Sequence, residues 1–167
     1  SPGGGYARTF VTQMEQVMGQ CLDKGIKVVT NAGGLNPEGC ADAVQQVADR
    51  LGLAPKVAYV GGDDLSKRLT ELIGLGNQFN HLDTGEPLEK LADRIVTANA
   101  YIGCWGIVEA LNQGADIVVT GRATDAAVVA GPAAWHHQWK RDDWDQLAGA
   151  IVAGHVIECG AQATGGN

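Results

Sequence analysis

Short apolar runs alternate along the chain with longer segments in which apolar residues recur every three or four positions. The runs Ile26–Thr30, Lys56–Val60 and Ile117–Thr120 are short, rich in β-branched residues and bounded by polar residues or glycine, which is typical of buried strands. The segments between them have the spacing of amphipathic helices. This alternation predicts an α/β fold, with a mainly parallel sheet, right-handed crossovers and helices on both faces, in a Rossmann-like three-layer arrangement.

Several element boundaries follow from local signals. Asn36 before Pro37 predicts a helix start, and Gly52 predicts its end. A short strand is expected over 95–98, a short helix over 125–130 and a loop over 131–141. The last helix is expected to start near Asp142 and to bury one apolar face, which consists of Trp144, Leu147, Ala148, Ile151, Val152 and His155.

Polar residues follow the predicted strands, where open parallel sheets place their ligands. The residue run 115–125 shows this most clearly, because a buried strand there stops at Gly121 and is followed at once by Arg122 and Asp125. Each polar residue taken alone could simply cap a helix. Their convergence predicts a substrate-binding set, which consists of Asn31, Gly33, Gly34, Asn36, Asp83, Asn99, Tyr101, Arg122 and Asp125.

An anionic group is expected to bind at two of these points. The loop Asn31-Ala-Gly-Gly-Leu-Asn-Pro37 combines two glycines with a helix N-terminus, which suits an anion, although a tight turn would look the same. Arg122 could clamp a carboxylate or phosphate with Asp125 orienting it, or the two could form a structural pair. Neither the Walker loop nor the Gly-x-Gly-x-x-Gly dinucleotide fingerprint occurs, so the cofactor is left open and a nicotinamide oxidoreductase is disfavoured.

Proton transfer has four candidate side chains, of which three are predicted to be catalytic. Asp63 and Asp64 follow a strand, and one of them could bind a metal, act as a base with a raised pKa, or cap the next helix. His155 lies on the last helix, with Glu158 one turn further on. The two could form an acid–base pair, or His155 could be a packed core histidine. The catalytic prediction is Asp64, His155 and Glu158.

Composition limits the partners and the compartment. The net charge of −7 and the absence of a basic stripe exclude nucleic acid and an anionic membrane surface as expected partners. No apolar run is long enough to span a bilayer. The four cysteines are far apart and without metal-ligand spacing, so we expect reduced thiols, a cytoplasmic protein and no metal site.

Several long motifs resemble the acyclic terpene utilisation family, the AtuA-like proteins, from about Tyr6 to Asn167. They are the loop 31–37, Gly62-Asp-Asp64, Thr97-Ala-Asn-Ala-Tyr101, the run 115–125 and the run 154–166. The glycine-rich residues 1–5 are expected to be a flexible entry and 6–167 a single α/β domain. Family members are longer at both ends, which implies that this domain is part of a larger one. The first strand of the family would then be missing, the sheet incomplete and one edge free for a homo-oligomer or for the missing segments.

The resemblance implies a role in the breakdown of citronellol- and geraniol-type compounds, whose intermediates are branched acyl-CoA thioesters. We therefore expect a cytoplasmic catabolic enzyme that acts on a branched acyl substrate, such as a CoA ester, by hydratase- or lyase-like acid–base chemistry. A non-catalytic acyl-binding or assembly subunit of a terpenoid-degradation complex is the alternative.

Overall fold

A three-stranded parallel sheet forms the centre of the computed structural model, which describes residues 3–165. The strands are β1 (Val28–Thr30), β2 (Val57–Val60) and β3 (Ile117–Thr120), in the order β1-β3-β2. Val28 and Val57 both align with Ile117, so the three strands end at the same edge. All four residues of β3 are buried, as expected for a central strand that is covered on both faces.

Helices cover both faces of this sheet. On one face, α1 and α2 enclose a core around Met14, Met18 and Val44. On the other face, α4 and α5 enclose a second core around Ile107 and Val118. The predicted α/β class with a parallel sheet is therefore confirmed. The helices are α1 (Arg8–Asp23), α2 (Pro37–Leu51), α3 (Leu69–Gly74), α4 (Trp105–Asn112), α5 (Ala127–His137) and α6 (Trp144–Cys159), with 3₁₀ turns at Ser66–Arg68, Leu88–Arg94 and Gly160–Thr164.

The capping prediction for α2 is confirmed in detail. The Asn36 side chain accepts a hydrogen bond from the Gly39 backbone N–H over 3.0 Å, and Pro37 occupies the first helical position. Gly52 ends the helix in the left-handed conformation, with φ of 67°. The bounds of this helix are therefore set by capping residues that can be recognised in the sequence.

Two local predictions were wrong in the region before α4 and after β3. Residues 95–98 form no strand, and only an isolated antiparallel bridge joins Asp64 to Asn99 nearby. Residues 131–137, expected as a loop, continue α5 through Pro132. Packing overrides the Gly-Pro signal there, because a Cβ on Gly131 would lie 2.8 Å from Ile107, so α5 contacts α4 very closely at this glycine.

The predicted buried face of α6 was also wrong. The helix buries Ala150 and Gly154, whereas Trp144 and Val152 are 70% and 66% exposed. The reason is the close approach to α5, since a Cβ on Gly154 would lie 3.0 Å from the Cβ of Ala126. Small residues allow that approach, and the large side chains are turned outward. Over residues 3–165, no helix has both the length and the apolar character needed to cross a membrane.

Candidate functional site

A connecting segment, residues 98–102, links the carboxyl ends of β2 and β3. At one end, the Ala100 N–H donates to the Asp63 carbonyl over 2.8 Å. At the other end, Ile102 and Ala123 form a parallel bridge, and the Ile102 N–H donates to the Arg122 carbonyl over 3.1 Å. These backbone bonds place the side chains of Asn99 and Tyr101 beside the residues that follow the two strands.

Asp63 is the buried polar centre of this edge. Its side chain is 2% exposed, and one carboxylate oxygen accepts hydrogen bonds from the Arg122 backbone N–H at 2.9 Å and from Asn99 Nδ2 at 3.0 Å. Gly121 leaves the space for it, because a Cβ there would lie 2.4 Å from the other oxygen. Asp63 therefore ties the end of β2 to the end of β3, which is a structural role.

Arg122 directs its guanidinium to Tyr101. Its Nη2 donates to the Tyr101 hydroxyl over 2.9 Å, and its Cζ lies 5.1 Å from the centre of the same ring. The Tyr101 hydroxyl is the main cause that raises the pKa of Arg122, with smaller contributions from Asp125 and Asp63. Both side chains are exposed. The predicted Arg122–Asp125 pair is thus an Arg122–Tyr101 pair with Asp125 nearby.

A pocket of about 340 Å³ lies next to this pair, between the start of α5 and the part of α6 from Ile151 to His155. It brings together three of the residues predicted from sequence, Tyr101, Asp125 and His155. Thr124, Ala126 and Ile151 complete its lining. The lining combines titratable groups with apolar ones, which is typical of small-molecule sites. His155 is exposed at this pocket and is not a core histidine.

Glu158 and Cys159 lie near Asp125. The Cys159 thiol donates a hydrogen bond to Glu158 over 3.0 Å, and this carboxylate raises the pKa of the thiol from 9.0 to about 11. One ligand atom from each of Asp125, Glu158 and Cys159 lies within 4.8 Å of the others. Two carboxylates and a thiol could hold a divalent cation, and they are the one such group among the side chains that the structure describes.

The thiol environment gives a prediction. Glu158→Gln removes the negative charge and the strongest acceptor beside Cys159, so we expect the pKa of this thiol to fall toward its ordinary value. Solvent screens part of the effect, and we expect alkylation of Cys159 by iodoacetamide at pH 8 to become roughly tenfold faster. Mass spectrometry of the labelled peptide measures the rate, with Cys21 in the same sample as an internal control. Equal Cys159 rates in both proteins would contradict the prediction.

The glycine loop after β1 uses its Gly34, Leu35 and Asn36 N–H groups for hydrogen bonds within the chain. The Leu35 N–H donates to the Gly5 carbonyl over 2.7 Å, and the Asn36 side chain donates to the Gly4 carbonyl over 3.0 Å. A Cβ on Gly33 would lie 2.4 Å from the Thr120 carbonyl oxygen, and one on Gly34 would lie 2.7 Å from the Gly5 oxygen. These glycines therefore allow close backbone contacts within the chain. The carbonyl of Asn31 accepts the Gly34 N–H inside the same turn.

Three further predicted site residues make hydrogen bonds to other parts of the chain, away from the pocket. Asp64 is exposed, and hydrogen bonds from the Ser66 side chain and backbone lower its pKa, whereas a base needs a raised one. The Asp83 N–H donates to the His81 ring nitrogen over 3.1 Å in an exposed turn. Asn99 uses its side chain to bind Asp63. None of the three lines the pocket of Tyr101 and His155.

Sequence reasoning missed four contributors to this region. Thr124, Ala126 and Ile151 line the pocket, and Cys159 joins the carboxylates. Thr124 and Ala126 flank Asp125, so their proximity could have been expected. Ile151 had been assigned to the core, and its place depends on which face of α6 is turned inward.

The fold and the site together define a parallel α/β protein with a titratable pocket at the carboxyl edge of its sheet. The family model described as "Acyclic terpene utilisation family protein AtuA" matches residues 1–167, so the chain belongs to this family. The family resemblance seen in the sequence is confirmed, and membership suggests a role in acyclic terpene utilisation. No curated protein and no solved structure matches the chain.

Proposed function

We propose that this chain is a cytoplasmic catabolic enzyme of acyclic terpenoid or branched-chain degradation. Its substrate would be a branched acyl group, carried as a CoA ester, and its chemistry would be acid–base catalysis of the hydratase or lyase type. The observation that carries the proposal is the pocket where Tyr101, Asp125 and His155 meet beside Arg122. Such a reaction needs two groups that exchange protons, a cation that binds the anionic part of the substrate and an apolar wall that binds the acyl chain.

Different residues at the pocket can bind different portions of the substrate. Ala126 and Ile151 offer apolar surface to a branched acyl chain, within a volume of about 340 Å³. Arg122 stands beside Tyr101 with its guanidinium exposed, where it can meet a phosphate of the CoA portion. Since the Gly34, Leu35 and Asn36 N–H groups of the glycine loop bond within the chain, we assign the anionic group to Arg122.

Proton transfer is assigned to His155 with Glu158. The two residues are one turn apart on α6, so they share one side of the helix. His155 lines the pocket, and Glu158 lies beside Asp125 at its edge. In a hydration, one group removes a proton from water while another supplies a proton to the substrate carbon. Asp64 is left out of the proposal, because its exposed carboxylate is held in its ionised form by Ser66.

The cytoplasmic location is supported by the cysteines. All four are free thiols, and two of them, Cys40 and Cys104, are buried in the cores. Burial raises the pKa of the Cys40 thiol to about 11, which makes it unreactive. Unpaired cysteines fit a reducing compartment.

Ligand binding tests the substrate class. Geranyl-CoA or citronellyl-CoA at a hundredfold excess over Kd should stabilise the protein by about 2.7 kcal/mol, a rise in Tm of roughly 5–11 °C. We expect Arg122→Ala to weaken binding about tenfold, because it removes one charge-assisted contact. At the same ligand concentration the stabilisation would fall to about 1.4 kcal/mol. Thermal-shift titration measures both values.

Arg141→Ala is the matched control for this variant. Arg141 is also exposed and stacks on an aromatic ring, with its Cζ 4.8 Å from the centre of Trp105. The Arg141→Ala variant should therefore bind the CoA esters as the unmodified chain does. If no branched CoA ester raises Tm, the acyl-CoA proposal fails. Binding without turnover would instead favour a non-catalytic acyl-binding subunit.

A further inference from the structure

Side chains with three different kinds of metal-ligand atom meet where α6 ends and α5 begins. Asp125, Glu158 and Cys159 each place one ligand atom within 4.8 Å of the other two. His155 lies one turn before Cys159 on α6, and it lines the same pocket as Asp125. The region therefore combines two carboxylates, a thiol and an imidazole, and these groups come from two separate elements of the fold.

The spacing of the three closest donors suits a tetrahedral ion. With zinc bonds of about 2.0–2.3 Å, two ligand atoms of a tetrahedral site lie about 3.3–3.8 Å apart. The Cys159 Sγ and Glu158 Oε2 atoms are 3.0 Å apart, and the distances to Asp125 are within 4.8 Å. Shifts of about 1 Å would complete the geometry, and rotation of these side chains can supply them. Asp125 and Glu158 are exposed and Cys159 is half-buried, so this rotation is not blocked by packing.

Charge and donor type favour a borderline-soft divalent cation over Mg²⁺ or Ca²⁺. Neither Asp125 nor Glu158 forms a salt bridge with a residue that the structure describes. Two neighbouring carboxylates and a bound thiolate would carry three negative charges, most of which a divalent ion would neutralise. Mg²⁺ and Ca²⁺ prefer oxygen ligands, whereas a thiolate selects ions such as Zn²⁺.

We propose that Asp125, Glu158 and Cys159 bind a divalent transition-metal ion of the zinc class, with the fourth position open toward His155 and the pocket. Three protein ligands and one open position are typical of zinc sites at which the fourth ligand is water or substrate. Residue spacing along the chain led to the expectation of no metal site. Asp125 is far from α6 in sequence, and it is the packing of α5 against α6 that brings these donors together.

The ion would regulate the proposed proton transfer, and this consequence rests on the proposed function. Glu158 is assigned as the partner of His155, and a carboxylate bound to a metal is no longer free to accept a proton. We expect saturating Zn²⁺ to slow deuterium exchange from D₂O into a bound branched acyl-CoA about tenfold or more, and EDTA to restore it. Exchange that Zn²⁺ leaves unchanged would overturn this regulation. A chain that binds Zn²⁺ but exchanges no deuterium would contradict the proposed reaction and support the metal site.

Calorimetric titration of the chain with Zn²⁺, without substrate, tests the site itself. We expect one ion per chain with a Kd on the order of micromolar, weaker than closed four-ligand sites because one position is open. Cys159→Ser and Asp125→Asn should each weaken binding at least about tenfold, since even the outer partners of metal ligands contribute that much. Cys21→Ser is the matched control, because Cys21 is also a half-buried free thiol but lies on α1. Far-UV circular dichroism checks that the variants are folded.

Cobalt gives a readout that identifies the thiol as a ligand. Co²⁺ bound through Cys159 should show thiolate-to-cobalt charge-transfer absorption in the near ultraviolet, which Cys159→Ser should abolish and Cys21→Ser should leave unchanged. A chain that binds neither ion with a Kd below about 100 µM would overturn the proposal. A cobalt complex without the charge-transfer band would overturn it too, as would Zn²⁺ binding that Cys159→Ser and Asp125→Asn leave intact.

Discussion

His155→Gln is expected to lower the rate of proton transfer to a bound branched acyl-CoA by about 10²–10⁴-fold, while Kd stays within about twofold. General acid–base groups contribute factors of this size. Affinity should survive, because His155 lines the pocket at one side while Arg122 and the apolar wall remain in place. Glutamine keeps a similar size and hydrogen-bonding capacity but cannot take up a proton near neutral pH.

Hydrogen exchange into the substrate measures this step without requiring the full reaction to be known. In D₂O, an enzyme that moves protons at carbon introduces deuterium into geranyl-CoA or citronellyl-CoA, and mass spectrometry follows the rate. His136→Gln is the control, because His136 is exposed on α5 and does not line the pocket. Equal exchange rates in the His155 variant and the unmodified chain would remove His155 from the mechanism. Saturable binding with no exchange at all would favour the non-catalytic alternative.

The strands and α2 could be predicted from sequence because their determinants are local. Ile117–Thr120 was predicted with the observed bounds, since a β-branched run of four residues between Asp116 and Gly121 is too short for a helix. Asn36, Pro37 and Gly52 lie within a single helix and its caps. Local signals failed where a neighbour decided the outcome, as at Gly131, whose contact with Ile107 carries α5 through a sequence typical of a break.

The arrangement of the site depends on contacts between residues far apart in sequence. The sequence predicted Tyr101 and Arg122 separately, but their pairing requires the backbone bridge between Ile102 and Ala123. The orientation of α6 was harder still. A helix that is apolar on every side has no preferred inward face, so periodicity could not show that Gly154 is buried and His155 exposed.

Asp63 and Asp64 show the same limit of sequence-based prediction at two neighbouring residues. Both follow β2, and the catalytic prediction named Asp64, although nothing in the sequence shows which of the two is buried. In the fold, Asp63 is 2% exposed and turned toward β3, while Asp64 faces solvent and accepts the Ser66 N–H over 2.8 Å. Neighbouring residues in an extended chain point to opposite sides, and the sheet decides which side is the interior.

Asp63→Ala is expected to lower the free energy of unfolding by about 3 kcal/mol. The variant leaves the Asn99 amide and the Arg122 backbone N–H without their acceptor, and each unsatisfied buried donor costs about 1–3 kcal/mol. For a chain of this size the loss corresponds to a fall in Tm of roughly 6–12 °C. Urea unfolding followed by circular dichroism measures the free energy, and differential scanning calorimetry measures Tm.

Two variants separate the causes of this loss. Asp64→Ala removes an adjacent, exposed carboxylate that accepts hydrogen bonds only from Ser66, two residues further on, so it should cost less than about 1 kcal/mol. Asp63→Asn removes the charge but can keep an oxygen at the position that accepts both bonds, so it should retain much of the stability. If Asp63→Ala proved as stable as Asp64→Ala, Asp63 would not tie β2 to β3. If Asp63→Asn were as unstable as Asp63→Ala, the negative charge, and not the acceptor geometry, would hold Arg122 and Asn99 in place. The pocket depends on that same connection, because Tyr101 is positioned by the segment that Asp63 and Arg122 hold.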